Sequence, residues 1–523
     1  MAYGENDPFT LFKNFYSTIA LIFSVVCIHG LIFTQQTGLS ENNSIIAVVV
    51  LWAAIFWLAM IEGGQASHVG LAPIDENLYK DSHPTTYKIS AACNKGDNLD
   101  RYLLGRQFGV IFVVFCVNLS GGPIGGASLW GLPEIVQQIF FSTGFAMILF
   151  TCMVGQLNTQ VNASICMIDF INNYVSLFTF WCCMVVEFVG IVHSSYAIQM
   201  AIGSMAGQPI ESKEPPKEGF TLMFFWLRVL WSFGLLGFSL TVTIAALFEG
   251  KTTMWDGVPE IVSLILFFGL MSVVGMLEGM QIAFFYVAKL SEEERGSNSW
   301  ANRTCDLLYN KRNGLNLPGF MIGRQLSVVT CFFVVARVTT QSVEDGETNV
   351  LGLPDPVQNF LNFGFQGALI TTILGSITWQ LVAAVFPVAF LSTPITYILL
   401  RICLFFEWTG ICNGAWVIAG ILKSLFGYQL DEVYIGTPEE RKARGMKDDS
   451  QREIAIPALS GFNGLPNFHS APKSLRDLAE SDPEVGAYLS DVAGSMKPGA
   501  PAAAAPAAPA AASYADDDDE VEC

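Results

Sequence analysis

Charged residues are scarce in this chain: only 14% of its 523 residues are Asp, Glu, Lys or Arg, whereas 52% are hydrophobic. A water-soluble domain rarely carries so little charge. The apolar residues gather in stretches of about 17 to 28 residues, which are long enough to cross a bilayer as helices. The sequence therefore predicts an all-α polytopic membrane protein that lies in a lipid bilayer.

We count about ten transmembrane helices by hydropathy. The predicted spans cover residues 15–34, 45–61, 103–119, 135–155, 174–202, 222–247, 261–288, 320–338, 357–379 and 395–425. The apolar segment 380–393 contains Pro387 and has three interpretations: it extends the ninth span, re-enters the membrane or lies on its surface.

Motifs of enzymes and of known pores are missing as well. The chain has no H-E-x-x-H metal motif, no phosphate-binding loop and no nucleophile–base constellation, so we do not expect an enzyme, a metal site or a cofactor. It also lacks an Asn-Pro-Ala pair and a carbonyl-filter sequence, which disfavours a channel. No nucleic-acid partner is expected from a chain with a net charge of −19.

About half of the net negative charge lies in the C-terminal tail. From Asp431 onward there are 18 acidic and 8 basic residues, and residues 498–512 are almost entirely Ala, Pro and Gly. This composition predicts that 427–523 is largely disordered. A basic cluster at 441–452 predicts a cytoplasmic C-terminus, and ten spans then place the short N-terminal segment 1–14 in the cytoplasm too. The plasma membrane is the default location.

One polar motif occurs twice at the edges of apolar runs. The first copy is Glu62-Gly63-Gly64-Gln65 with Gly105-Arg106-Gln107, and the second is Glu278-Gly279-Met280-Gln281 with Gly323-Arg324-Gln325. Charged and amide groups are costly inside a membrane unless they are paired or line a water-filled path, so they are candidates for function.

The repeat extends through most of the chain at a nearly constant offset. The motif copies are 216 and 218 residues apart, Pro133 and Pro354 are 221 apart, and Glu187 and Glu407 are 220 apart. This register indicates two homologous halves, 15–205 and 222–426, joined by a linker at 206–221. Because five spans per half is an odd number, the second half should enter the membrane from the opposite side, as in the inverted repeats of many secondary transporters.

The doubled motif suggests a site for a neutral solute. Glu62 can pair with Arg106 and Glu278 with Arg324, which leaves the glutamine amides free to meet a ligand. An amide both donates and accepts hydrogen bonds, so it suits a hydroxyl-rich neutral solute better than an ion. The alternative is that these groups only hold helices together. Glu187 and Glu407 have the same two interpretations: structural ion pairs, or groups that couple transport to an ion.

These motifs resemble those of the silicic acid transporters of diatoms and related algae, and the resemblance covers about 10–426. It implies sodium-coupled uptake of orthosilicic acid, with Gln65, Gln107, Gln281 and Gln325 as substrate-binding residues. From the residues themselves, Glu62, Arg106, Glu278 and Arg324 are candidates for gating ion pairs or for coupling to the ion. No cofactor is expected, and sodium would be the coupling ion. A passive silicic acid channel and a silicon sensor without net transport remain alternatives, and self-association into a homo-oligomer stays open.

Overall fold

The computed structural model describes most of the chain. The described residues are 8–40, 43–72, 74–206, 214–255, 257–287, 298–311, 316–343, 346 and 351–436. Residues 207–213 of the predicted linker and the tail beyond residue 436 lie outside them, so the predictions for those segments stay untested. Within the described part the chain is helical, and its only β pairing is two isolated bridges, Thr37 with Pro123 and Thr252 with Gln341. The predicted all-α fold class is confirmed.

Seven single helices are long and apolar enough to cross a membrane, and three bent helix pairs bring the number to ten if each pair is one span. In chain order, the spans are Pro8–Phe33, Ser44–Leu71, Asn98–Gly121, Glu134–Ser142 with Phe145–Ile165, Tyr174–Val189 with Ser194–Ala206, Gly219–Phe248, Glu260–Val287, Asn316–Thr339, Phe365–Ala383, and Pro394–Thr409 with Gly414–Phe426. We refer to them as spans 1 to 10. Each overlaps one predicted span, although spans 2 and 4 continue ten residues beyond their predicted ends, to Leu71 and Ile165.

Shorter helices lie between the spans. They are Glu76–Tyr79 (3₁₀), Pro84–Cys93, Met167–Ile171, Ser299–Cys305, Asp355–Asn362, Pro387–Leu391 and Glu432–Ile435. The ambiguous segment 380–393 therefore splits: its first residues continue the helix that ends at Val385, and the rest forms the short helix that starts at Pro387. Proline at this first helical position is favourable because its missing N–H would have no partner there.

Equivalent positions in the two halves carry the same irregular backbone. Gly144 and Gly364 adopt positive φ before the main helix of spans 4 and 9, and a π-helical stretch follows in each, at Thr151–Leu157 and Thr371–Ile377. π-Helical turns are rare and occur frequently at functional sites. The agreement extends the sequence repeat to backbone geometry.

Spans 5 and 10 are broken at matching glycines. Gly190 has φ of 85° and Gly410 has φ of 72°, and the helices on either side bend by 72° and 65°. Glycine adopts this left-handed conformation without steric cost, so it ends a helix where a bend is required.

The first span of each half supports the break in the other half. In span 1, the Ser17 hydroxyl donates to the carbonyl of Ile411 (2.5 Å) and accepts from the amide of Gly414 (2.8 Å). In span 6, the hydroxyl of Ser232, which lies 215 residues later, donates to the carbonyl of Ile191 (2.7 Å) and accepts from the hydroxyl of Ser194 (2.8 Å). These bonds satisfy backbone groups that the bends leave without helical partners.

Spans 2, 3, 7 and 8 form the centre of the protein. Span 2 packs along span 3 and span 7 along span 8, while spans 3 and 8 meet each other. Among the seven spans that are single helices, spans 3 and 8 are also the most buried: 72% and 78% of their most apolar stretch lies inside the protein. Large apolar side chains remain exposed on other spans, as expected for surfaces that contact lipid.

The segment that follows span 10 packs against the first half. The Asp431 carboxylate accepts hydrogen bonds from the backbone amides of Met167 (2.9 Å) and Ile168 (2.8 Å), and Asp169 accepts one from the amide of Gln429 (2.6 Å). Burial raises the pKa of Asp431 to about 7. The first ten residues of the predicted tail, 427–436, are therefore held on the body of the protein.

Candidate functional site

A polar cavity lies between the two halves and contains both copies of the motif. The empty space among its side chains is about 410 Å³, including the part open to solvent. It is lined by Glu62, Gln65, Arg106, Gln107, Val110, Gln156, Gln160, Glu278, Gln281, Arg324, Gln325, Val328, Phe332 and Gln380. All eight motif side chains predicted from the sequence are thus brought together at one place.

Each half contributes one buried ion pair to this cavity. Arg106 Nη2 lies 2.5 Å from Glu62 Oε2, and Arg324 Nη2 lies 2.6 Å from Glu278 Oε2. All four side chains are at least 90% buried. Because each carboxylate faces its own guanidinium, the four charges cancel and the cavity has no net charge from them.

Glycines bring the helices close enough for these pairs to form. Gly105 in span 3 faces the backbone carbonyl of Cys183, and Gly323 in span 8 faces that of Cys403; a methyl group at either position would overlap the carbonyl. The intermediate residue of the first motif, Gly63, likewise lies against the ring of Phe170. Glycine is needed at Gly105 and Gly323 because only a hydrogen atom fits between the two backbones there.

The two glutamines that follow an arginine are held by protein contacts. Arg106 donates to Gln107 Oε1 (2.8 Å), and Arg324 donates to Gln325 Oε1 (3.0 Å). The Gln107 amide also donates to Ser376 (2.8 Å), which belongs to the other half. The prediction that all four amides are free therefore needs refinement: these two are already oriented by their arginine neighbours.

The other two motif glutamines have no such anchor. Gln65 and Gln281 are each about 95% buried and line the cavity, yet neither makes a hydrogen bond to another described residue. Buried amides that lack a protein partner are costly, so they favour a ligand or water at this position. Gln65 and Gln281 are accordingly the groups best placed to contact a solute.

Three further amides complete the site and were missed from the sequence. Gln156 and Gln160 in span 4 donate to Glu62 (3.2 and 2.9 Å), and Gln380 in span 9 donates to Glu278 (3.0 Å). Gln160 and Gln380 are 220 residues apart, the same offset as other repeat pairs, so extending the register through span 4 would have found them. Ser376 replaces the amide at the position equivalent to Gln156.

Glu187 and Glu407 lie elsewhere. Both are about 94% buried, and each closes the helix just before the break of its span. Glu187 lies 3.5 Å from His193 Nε2 and accepts a hydrogen bond from Tyr196 (3.3 Å). The structure therefore separates these two carboxylates from the central cavity and associates them with the bends.

A metal centre finds no support among the residues that the structure describes. No group of three or more His, Cys, Asp or Glu side chains there has the arrangement to hold a metal ion. Asp169, which lies three residues after Cys166, has its carboxylate 2.9 Å from His83 Nε2 and accepts a hydrogen bond from the backbone amide of Gln429.

Comparison with known proteins identifies the family. No curated protein and no solved structure matches the chain. The sequence profile described as "Silicon transporter" matches residues 5–512, which is nearly the whole chain and includes both motif copies and the cavity. The resemblance noted from the motifs is thereby confirmed, and the chain belongs to the silicon transporter family.

Proposed function

We propose that this protein takes up orthosilicic acid by sodium-coupled symport, with the central cavity as the substrate site. The observation that carries the proposal is a single cavity lined by seven glutamines and by two ion pairs whose charges cancel. Silicic acid is a neutral molecule with four hydroxyl groups, each able to donate and to accept. Amide side chains match both capacities, whereas a charged solute would face a site without net charge.

Different glutamines have different tasks in this proposal. Gln65 and Gln281 contact the substrate directly because their amides make no hydrogen bond to another described residue. Gln107 and Gln325 present an amide that Arg106 and Arg324 have already oriented, which lowers the entropic cost of binding. The substrate is thereby held by both halves at once.

Coupling to a cation such as sodium has an energetic reason. A neutral solute gains nothing from the membrane potential, whereas a cation moving inward gains about 2.3 kcal/mol per charge per 100 mV. Accumulation of silicic acid therefore needs a cotransported ion. Glu62 and Glu278 at the cavity, and Glu187 and Glu407 at the broken spans, are the carboxylates we propose for coupling, because half-helix ends and carboxylates are typical sodium ligands in transporters.

Alternating access would use the matched breaks. The bends at Gly190 and Gly410 give each half a hinge at an equivalent place, and the halves face each other across the cavity. We propose that the halves are inverted repeats that exchange conformations, with both termini in the cytoplasm and the protein in the plasma membrane.

Uptake into proteoliposomes tests the proposal. Purified protein would be reconstituted, and silicic acid uptake measured with an inward sodium gradient and with sodium replaced by potassium. Accumulation above equilibrium only with sodium is the expected result. Equilibration independent of sodium would instead indicate a passive channel, and binding without flux would indicate a sensor.

A matched pair of variants connects the flux to the cavity. Gln65→Leu removes an amide that lines the cavity, while the control Gln138→Leu removes an exposed amide in span 4 that donates to Glu134 (3.1 Å) and does not line the cavity. The proposal requires that the first variant has a KM for silicic acid about fivefold higher, and so a lower uptake at subsaturating silicic acid, and that the second keeps the wild-type uptake. Equal uptake in both would exclude the cavity as the substrate site.

A further inference from the structure

The glutamines of the central cavity differ in which atom of the amide is already occupied. Gln107 and Gln325 each accept a hydrogen bond on Oε1 from the arginine that precedes them, at 2.8 and 3.0 Å. Because a guanidinium only donates, the amide oxygen must face it, and the amide nitrogen is left for the cavity that both residues line. Gln107 gives one N–H to Ser376, and Gln325 Nε2 has no partner among the described residues. The glutamine after each arginine therefore presents N–H groups.

Gln160 and Gln380 show the opposite arrangement. Gln160 Nε2 donates to Glu62 Oε2 at 2.9 Å, and Gln380 Nε2 donates to Glu278 Oε2 at 3.0 Å. Each of these carboxylates pairs with a buried arginine, and an ionised carboxylate only accepts hydrogen bonds. The amide nitrogen must therefore face the carboxylate. The amide oxygen remains, and it accepts no hydrogen bond from another described residue.

These two glutamines are accessible from the cavity that they line. Gln160 is 8% exposed and Gln380 is partly exposed, so neither is sealed inside the protein. Gln156 is different: it donates to the same Glu62 at 3.2 Å, but its side chain is fully buried and its Oε1 has almost no accessible surface. Gln156 and Gln160 thus share the support of Glu62 and differ in their access to a solute.

We propose that Gln160 and Gln380 determine the specificity of the cavity, each by accepting a hydrogen bond from a hydroxyl group of the solute. Each half then supplies one acceptor of fixed direction, while the glutamine after its arginine supplies one donor of fixed direction. A molecule with four hydroxyl groups can donate to both acceptors and accept from both donors at once. The inference rests on the proposed function, since the solute is the one that the cavity transports.

The fixed direction of these amides selects solutes by their hydroxyl hydrogens. A fully ionised oxyanion has no hydrogen to donate and would place negative oxygens against two carbonyl oxygens, so it is disfavoured. A silanol with one hydroxyl group can reach only one of the two acceptors and leaves the other unpaired. Sites that hydrogen-bond a substrate hydroxyl discriminate well against analogues that lack it. Silicic acid has a hydroxyl group for each acceptor.

Methionine at Gln160, compared with methionine at Gln156, separates contact with the solute from support of Glu62. Both variants lose one hydrogen bond to that carboxylate, so their stabilities should fall alike. Only Gln160→Met also loses an oxygen that meets the solute. In proteoliposomes we expect its KM for silicic acid to be about fivefold higher than that of Gln156→Met, with maximal rates within twofold. Equal KM values would overturn the proposal, because Gln160 would then act only through Glu62.

If Gln160→Met does not fold, Gln380→Met tests the same contact in the other half. Gln380 is less buried and donates to Glu278 in place of Glu62. Its variant should raise KM about fivefold over wild type without changing the maximal rate. A wild-type KM in this variant would equally overturn the proposal.

The double variant Gln160→Met/Gln380→Met tests the selectivity. Trimethylsilanol, which has one hydroxyl group, would compete with silicic acid for uptake in wild type and variant. Silicic acid loses two hydrogen bonds in the double variant and trimethylsilanol loses one, so the preference for silicic acid should shrink about fivefold. An unchanged preference would refute the role of these acceptors. If the wild-type protein moves no silicic acid at all, the proposed function fails instead, so the two failures are distinguishable.

Discussion

Glutamines of the same motif should respond oppositely when they are changed to leucine. Gln65 makes no hydrogen bond to another described residue, so Gln65→Leu breaks no such bond and should lower the free energy of unfolding by about 1 kcal/mol at most. Its cost appears only with substrate: one lost hydrogen bond is worth about 1 kcal/mol, or roughly a fivefold rise in KM. Gln281→Leu should behave in the same way.

Gln107→Leu should show the reverse pattern. Its amide joins the halves through Ser376 and accepts from the buried Arg106, both at 2.8 Å. Removing it leaves a charged donor without one of its acceptors, which costs about 2–4 kcal/mol of stability. The expected result is a clear drop in thermal unfolding temperature together with a loss of uptake.

Uptake kinetics in proteoliposomes and thermal unfolding in detergent measure these effects on the same preparations. The double variant Gln65→Leu/Gln281→Leu should raise KM by about 25-fold if the two contacts are independent. A Gln65→Leu protein with wild-type KM, or one as destabilised as Gln107→Leu, would refute the division of the glutamines into free and anchored groups.

Three further effects follow from the structure. Glu62→Gln leaves Arg106 buried without its carboxylate and should lower the free energy of unfolding by about 3–5 kcal/mol, measured by unfolding in denaturant. The double variant Glu62→Gln/Arg106→Met should recover most of this loss. If it recovers none, the ion pair is not the cause. Gly105→Ala drives a methyl into a backbone carbonyl and should abolish folded expression, whereas Gly109→Ala meets only Ile61 at 3.6 Å and serves as the tolerated control. Asp431 has its pKa raised from 3.8 to about 7, so the docked state binds its proton more tightly, and docking of 427–436 should weaken as pH rises from about 4 to 7. Hydrogen exchange of that segment, corrected for the intrinsic rate, should report this trend, and Asp431→Asn should remove it.

Much of the fold could be predicted because membranes restrict the available structures. Long apolar runs in a membrane must be helical. The offset between repeated residues is nearly constant, as between Glu62 and Glu278, and this was enough to match equivalent positions in the two halves. The partners of Glu62 and Glu278 could be predicted because Arg106 and Arg324 are the basic residues of the repeated motif.

Other features depend on contacts that a pattern does not contain. A lone Gly190 inside an apolar stretch is compatible with a continuous helix, and only the packing of span 6 against it accounts for the bend. Gln160 was missed because it lies beyond the predicted end of its span. The bond between Gln107 and Ser376 joins residues 269 positions apart, a pairing that local sequence cannot specify.

The exchange of supports between the halves links the two ends of the chain. Ser17 in span 1 emerges from the ribosome long before Ile411 and Gly414, the backbone groups that it binds in span 10. The bend in span 10 can therefore be completed only after the entire membrane region has been made, when the last span docks on the first. Removing span 1 should therefore leave the hinge of span 10 unsupported, although the two lie at opposite ends of the membrane region.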